Sequence, residues 1–156
     1  MALKPDRVEH LTDISFFKND AVAERGGIVV HSTGGSGAAM DDALAQVADV
    51  SALTDEPAGL LLNDVVNLDL TRQHYNMHKD EIQLGGKVTL LRRGTVVTDQ
   101  ISGTPVVGEK AYFALDGKLV TSSEASAMIA VTGAPVGRFL GVADSDGYCK
   151  VEINIV

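Results

Sequence analysis

The chain has 156 residues, of which 45% are hydrophobic and 22% are charged, so it is typical of one globular domain and unlike a disordered or fibrous protein. Its net charge of −8 repels phosphate, so we expect no direct binding of nucleic acid. The chain contains 19 Val, 7 Ile and 16 Gly but only seven aromatic residues and no Trp, which favours strands joined by tight turns.

The first 25 residues carry alternating charges and an apolar cluster that follows neither strand nor helix period. They contain no apolar segment like that of a signal peptide, so we expect neither secretion by a cleavable signal nor membrane insertion. We interpret residues 1–25 as an extended N-terminal arm that precedes a single β-rich domain, residues 26–156. Such an arm must dock on its own domain or on a neighbouring subunit, and the sequence leaves both possibilities open. The apolar members of the arm are Leu11, Ile14, Phe16 and Phe17.

Strand signals begin after the arm, with a β-branched run at 28–30 and a Gly-rich loop at 33–37. A short helix is predicted between Ala38 and Asp49, because three apolar residues recur there at helical spacing and two aspartates would lie in its first turn. An acidic surface loop would explain the same residues, which are Met40, Leu44, Val47, Asp41 and Asp42.

The pattern of the remaining chain predicts short antiparallel strands. Hairpin turns are predicted at Asn63-Asp64, Arg93-Gly94, Asp116-Gly117 and Asp144 to Gly147. The terminal strand, 148–156, alternates between polar and apolar residues, so it should have one solvent-exposed face and one buried face. About nine strands of this kind predict a mainly β fold, a compact β-sandwich or barrel with at most one short helix.

Charge is distributed along the chain in blocks. Residues 26–71 contain no Lys or Arg but seven acidic side chains, whereas residues 72–110 are richer in cations. The two blocks are either solvated patches or complementary faces toward a partner or another copy of the chain. The candidate contact cations are Arg72, Arg92 and Arg93.

Residue patterns that would carry chemistry are incomplete. The glycine loop at 34–37 lacks the Lys of a phosphate-binding loop, and the single Cys149 falls on the buried face of the terminal strand. His74 and His78 are four apart, but a metal site would need a third ligand, which the sequence does not clearly supply. We therefore expect no catalytic residue, no metal and no cofactor, and we keep a metal-dependent enzyme built on His74 and His78 as an alternative.

The order of the small β units is itself informative. The units are Glu24-Arg25-Gly26-Gly27-Ile28-Val29-Val30-His31-Ser32, Gly85-Gly86-Lys87-Val88-Thr89-Leu90-Leu91, Pro105-Val106-Val107-Gly108-Glu109-Lys110-Ala111-Tyr112, Val136-Gly137-Arg138-Phe139 and Asp146-Gly147-Tyr148-Cys149-Lys150-Val151. In this order they resemble the capsid decoration (cement) proteins of tailed bacteriophages. The acidic stretch at 39–58 matches that family least.

The resemblance implies a structural, non-enzymatic virion protein made in the host cytoplasm. Such a protein binds the major capsid protein on the outer capsid surface and clamps neighbouring capsomers, usually as a homotrimer at three-fold positions. Within this reading, the predicted contacts with the capsid or an adjacent protomer are Leu11, Ile14, Phe16 and Phe17 of the arm and the three arginines Arg72, Arg92 and Arg93. A ligand- or carbohydrate-binding β-barrel module on the virion surface is the other alternative, although the lack of Trp counts against sugar binding.

Overall fold

Thirteen short β-strands form the described backbone. The computed structural model describes residues 3–21, 23–32, 34–36, 43–52, 54–64, 81–82, 84–123 and 134–155. The strands in these residues are β1 (Val8–Asp13), β2 (Phe17–Lys18), β3 (Ala23–Glu24), β4 (Ile28–His31), β5 (Gln46–Ala48), β6 (Pro57–Asp64), β7 (Glu81–Ile82), β8 (Gly86–Thr98), β9 (Ile101–Ser102), β10 (Lys110–Phe113), β11 (Leu119–Val120), β12 (Gly137–Phe139) and β13 (Cys149–Asn154). The mainly β prediction is confirmed.

Five of the strands close into a barrel. The pairing order is β2, β5, β4, β6 and β8, and β2 then pairs with β8 to complete the ring. The β2–β5 pair is parallel and the other four pairs are antiparallel. Small and branched side chains fill the interior, namely Val29, Val47, Ala58, Leu61, Val88 and Leu90. Of the two predicted architectures, a β-sandwich or a barrel, these five strands therefore form the barrel.

A second sheet continues from the barrel through β8. The C-terminal half of this 13-residue strand pairs with β13, which is followed by β12, β10, β11 and β9. A larger core lies between this sheet and the outside of the barrel, and it contains Phe113, Phe139, Val151 and Ile153. Strands β4 and β6 therefore contact a core on each face, which explains uninterrupted apolar runs such as 60–62.

The N-terminal segment lies along one entire edge of β8. Leu3 bridges Thr98, β1 pairs with residues 90–95 of β8, and Phe17 pairs with Lys87. The opposite edge of β8 is occupied first by β6 and then by β13. Residues 3–18 thus dock on their own domain, and the division of the chain at residue 25 stays a prediction.

Two predicted hairpins are confirmed. Strands β10 and β11 pair around Gly117, which has φ of 76°, and Gly117 donates its N–H to the Ala114 carbonyl. Strands β12 and β13 pair before and after a turn in which the Asp144 carboxylate accepts the N–H groups of residues 146 and 148. In β13 the residues Cys149, Val151 and Ile153 are buried and alternate with more exposed ones, as predicted.

Two predicted turns are wrong because the chain continues straight through them. Asn63 and Asp64 belong to β6, and Arg93 and Gly94 belong to β8. Gly94 lies where β1 crosses closely, since a Cβ there would collide with the Val8 carbonyl oxygen. That glycine therefore marks close backbone approach rather than a reversal of direction.

The predicted helix between Ala38 and Asp49 is wrong over its described part. Residues 43–45 form a turn and residues 46–48 form β5. Ala45 and Val47 are buried whereas Leu44 is 60% exposed, so the apolar residues follow a strand period. Residues 38–42 lie outside the described part of the chain.

Candidate interaction surface

One solvent-exposed sheet surface crosses five strands in the order β10, β12, β13, β8 and β1. Residues paired in register project from the same face, and five strands span about 19 Å at the usual strand spacing. The central row of this surface is Lys110, Arg138, Glu152, Thr95 and Val8. We define the outer sheet face as this row together with the neighbouring residues of the same face, which are Lys150, Val97, Asn154, Arg93 and Leu11.

The outer sheet face is basic although the chain is acidic. Its defining residues include four cations and one carboxylate, Glu152. Arg93, Lys110 and Arg138 are exposed, and none of them forms an ion pair with a residue in the described ranges. The fourth cation, Lys150, lies with its Nζ 3.3 Å from Asp6 Oδ2. The buried side chains of Phe139, Val151 and Ile153 support the face from below.

Strand β1 borders the outer sheet face and carries exposed apolar side chains. Val8 is 46% exposed, Leu11 is 50% exposed, and Ile14, just after the strand, is 39% exposed. Within the described residues, β1 pairs only with β8, so its second edge has no strand partner there. Leu11 is paired with Arg93, and the structure thus brings together one apolar and one basic residue that the sequence predicted as contacts.

Three other predicted contact residues lie against their own domain, namely Phe16, Phe17 and Arg92. The Phe16 ring packs edge-on against His31 with centroids 5.3 Å apart, and the Lys87 ammonium lies 5.0 Å from the Phe17 centroid. Arg92 Nε is 3.8 Å from Asp13 Oδ2. Burial, reinforced by the nearby Arg92 charge, lowers the pKa of His31. Whether these residues also contact a capsid stays a prediction, and Arg72, His74 and His78 lie outside the described residues.

A buried lysine, Lys18, lies on the strand that closes the barrel. Lys18 is fully buried, and its ammonium lies 2.6 Å from Asp20 Oδ1, 3.0 Å from Asp49 Oδ1 and 3.0 Å from the Ala21 carbonyl. Partial burial alone would raise the pKa of Asp20, but the N–H of Asp49 and the Lys18 ammonium more than offset this, so its pKa is lowered. A lysine beside two phenylalanines gives no local signal that it will be buried.

An acidic cleft lies where residues of β3, β4 and β6 meet the turn at 116–117. Three carboxylate residues, Glu24, Asp49 and Asp116, line it together with the backbone of Gly27 and Gly117, and its volume is about 160 Å³. Two of these carboxylates lie beside cations of the chain, since Lys118 Nζ is 3.4 Å from Asp116 Oδ2 and Lys18 Nζ is 3.0 Å from Asp49 Oδ1. Glu24, whose Oε2 accepts a hydrogen bond from Gln100 Nε2, is the lining carboxylate that has no cation beside it among the described residues.

The remaining groups that could carry chemistry are the single cysteine and any cluster of metal-binding side chains. The Cys149 thiol is buried, which raises its pKa, and it lies 3.3 Å from the Gly141 carbonyl oxygen. The described ranges contain no group of three or more His, Cys, Asp or Glu residues placed to hold a metal ion. In the same ranges, no helix has the length and apolar character needed to cross a membrane.

Comparison with known families identifies the chain. The family model described as structural cement protein (E217 gp24/Pam3 gp6) matches residues 9–154. A search of curated proteins gives no match. The matched region runs from β1 to the end of β13, so it includes the barrel, the second sheet and the strands of the outer sheet face. The chain therefore belongs to the family of phage structural cement proteins.

Proposed function

We propose that this protein decorates the outer surface of a phage capsid and stabilises the shell by clamping neighbouring capsomers. Its partner is the major capsid protein, it acts as a homotrimer at three-fold positions, and it catalyses no reaction. The family match over residues 9–154 is the observation that carries this proposal. The acidic charge of the chain supports an outer position, away from packaged DNA.

The β1 border is the part of the surface that we assign to the capsid. Val8, Leu11 and Ile14 expose apolar area, and they lie on or beside a strand whose second edge has no partner in the described residues. Exposed edge strands readily pair with an added strand or pack under another chain. Full burial of an exposed side chain of this kind contributes about 1.5–3 kcal/mol, and because these three are already half-buried, each can contribute about half of that on a capsid. A trimer multiplies such modest contacts through avidity.

Shells that lack the cement protein provide the test. The double substitution Val8→Ser with Leu11→Ser removes apolar area from the β1 border, whereas Val106→Ser with Val107→Ser removes similarly exposed area from a distant loop. Circular dichroism and thermal melting would first verify that both variants remain folded. We expect occupancy on the shells to fall about tenfold or more for the first variant and to stay unchanged for the control.

Full occupancy by the β1 variant would refute the assignment of this border to the capsid. Failure of the wild-type protein to bind any shell would refute the proposed function itself.

A further inference from the structure

We propose that copies of this protein associate head to tail, with cations from the outer sheet face of one copy docked in the acidic cleft of the next. This inference rests on the proposed function, because it takes the assembled copies to act on a capsid shell. It assigns the contact between protomers to Lys110 and Arg138, at the β10–β12 end of the outer sheet face, whereas the β1 border at the other end of that face contacts the capsid.

The acidic cleft has the chemistry of a receptor for a guanidinium or ammonium group. Glu24, Asp49 and Asp116 line it together with Gly27 and Gly117. Lys18 lies against Asp49 and Lys118 lies against Asp116, so Glu24 is the lining carboxylate that has no cationic partner in the described residues and that an incoming cation would meet. Carboxylates bind arginine by paired, charge-assisted hydrogen bonds, which gives such a contact both strength and a defined orientation.

The outer sheet face supplies the matching cations. Lys110 and Arg138 are directly opposite each other on β10 and β12, and both are exposed. Like charges in this arrangement destabilise a sheet in an isolated molecule. Glu152 lies opposite Arg138 on its other side, in β13, yet neither cation forms an ion pair with a carboxylate in the described part of the chain. An acidic partner would therefore relieve the repulsion between Lys110 and Arg138.

The positions of the two surfaces favour a second copy of the chain as the partner. The cleft is lined by Ile28, Val29 and Leu61 of the barrel, whereas the cations lie on β10 and β12, none of whose residues line the cleft. One copy can therefore donate cations and receive them at the same time. Contacts between two different surfaces of identical subunits close into rings when the rotation permits, which is the geometry that a homotrimer requires.

A charge-swap experiment on the full-length protein tests this contact. Arg138→Glu reverses the donor surface, Glu24→Lys reverses the acceptor surface, and the double variant exchanges the two charges. Lys87→Glu is the matched control, because it makes the same charge change on β8 outside both surfaces. Sedimentation velocity at about 50 mM and about 500 mM salt would measure self-association, and binding to cement-free shells would be measured in parallel.

We expect the wild type and the control to associate, and to do so more weakly at high salt. Each single reversal should weaken association about tenfold or more, and the double variant should recover much of the loss. A wild type that stays monomeric at low salt, unaffected single variants, or a double variant without recovery would each overturn the inference.

Shell binding separates this inference from the proposed function. If Arg138→Glu abolishes binding to shells but leaves self-association intact, the cations on β10 and β12 contact the capsid and not a second copy, and the inference is wrong while the proposed function stands. If the wild type self-associates as described but binds no shell, the proposed function fails and the protomer contact survives.

Discussion

Removal of the buried charge at the barrel end is the most informative perturbation of the fold. Lys18 lies on β2, which pairs with both β5 and β8 and so closes the ring. Lys18→Met removes the ammonium and keeps most of the stem, whereas Lys18→Ala removes both. The two variants therefore separate the contribution of the charge from that of the packed side chain.

The expected magnitudes follow from what each variant leaves behind. In Lys18→Met, the side chains of Asp20 and Asp49 are 33% and 51% exposed and can regain water, so no carboxylate is stranded in the core. The lost charged hydrogen bonds are partly offset by the desolvation cost that the ammonium no longer carries, which leaves a net loss of about 1–2 kcal/mol. Lys18→Ala also loses three methylene groups at about 0.8 kcal/mol each, for a total of about 3–4 kcal/mol.

Urea unfolding at neutral and acidic pH measures both effects. The pKa of Asp20 is lowered in the folded state, so its contribution is present above the ordinary carboxylate pKa and is lost as the pH falls through the folded value. The unfolding free energy of the wild type should therefore decrease in acid, and that of Lys18→Met should decrease less. A Met variant as stable as the wild type would show that the ammonium contributes nothing, and equal losses for Met and Ala would exclude a role for the stem.

Two further predictions concern the strands around β8. Deletion of residues 1–20 should abolish cooperative thermal unfolding, because it removes the buried Leu3, the β1 pairing and the strand that closes the barrel. A truncated chain with a native circular dichroism spectrum and a sharp melting transition would contradict this prediction. Gly137→Ala should lower the unfolding free energy by about 2 kcal/mol or more, since its Cβ would collide with the Glu152 carbonyl oxygen, while Gly141→Ala, where the space is open, should be nearly neutral in the same denaturation assay.

Features of the fold that depend on neighbouring residues could be predicted from the sequence. The Asp116-Gly117 hairpin needs only a residue that tolerates positive φ at its turn, and Gly117 supplies it. The alternation in β13 requires only that one face of the strand be buried. Both signals lie within a few residues of the structure they specify.

Features that depend on distant pairing could not be predicted. Gly94 resembles a turn residue, but its role is set by β1, which precedes it by more than 80 positions in the chain. Val47 fits a helical spacing equally well, and its strand conformation is set by the parallel partner β2 and the antiparallel partner β4. Lys18 is buried only because Asp20 and Asp49 come together around it.

The candidate surface was predicted in fragments. The sequence indicated Leu11 and Arg93 separately, but their pairing across β1 and β8 appears only in the folded register. Lys110 and Arg138 were not recognised as a cationic pair, because 27 intervening residues hide the fact that β10 and β12 are neighbours. Charge blocks along a chain therefore indicated that a charged surface exists without locating it.

Direct imaging of decorated shells tests the central claim, that this protein is a capsid-stabilising cement. Shells assembled without the protein would be imaged by cryo-electron microscopy before and after its addition, and their disruption temperature would be measured in both states. We expect added density at three-fold positions on the outer surface, in contact with more than one capsomer, together with a higher disruption temperature. Shells that bind no protein, or that bind it without any gain in stability, would contradict the claim.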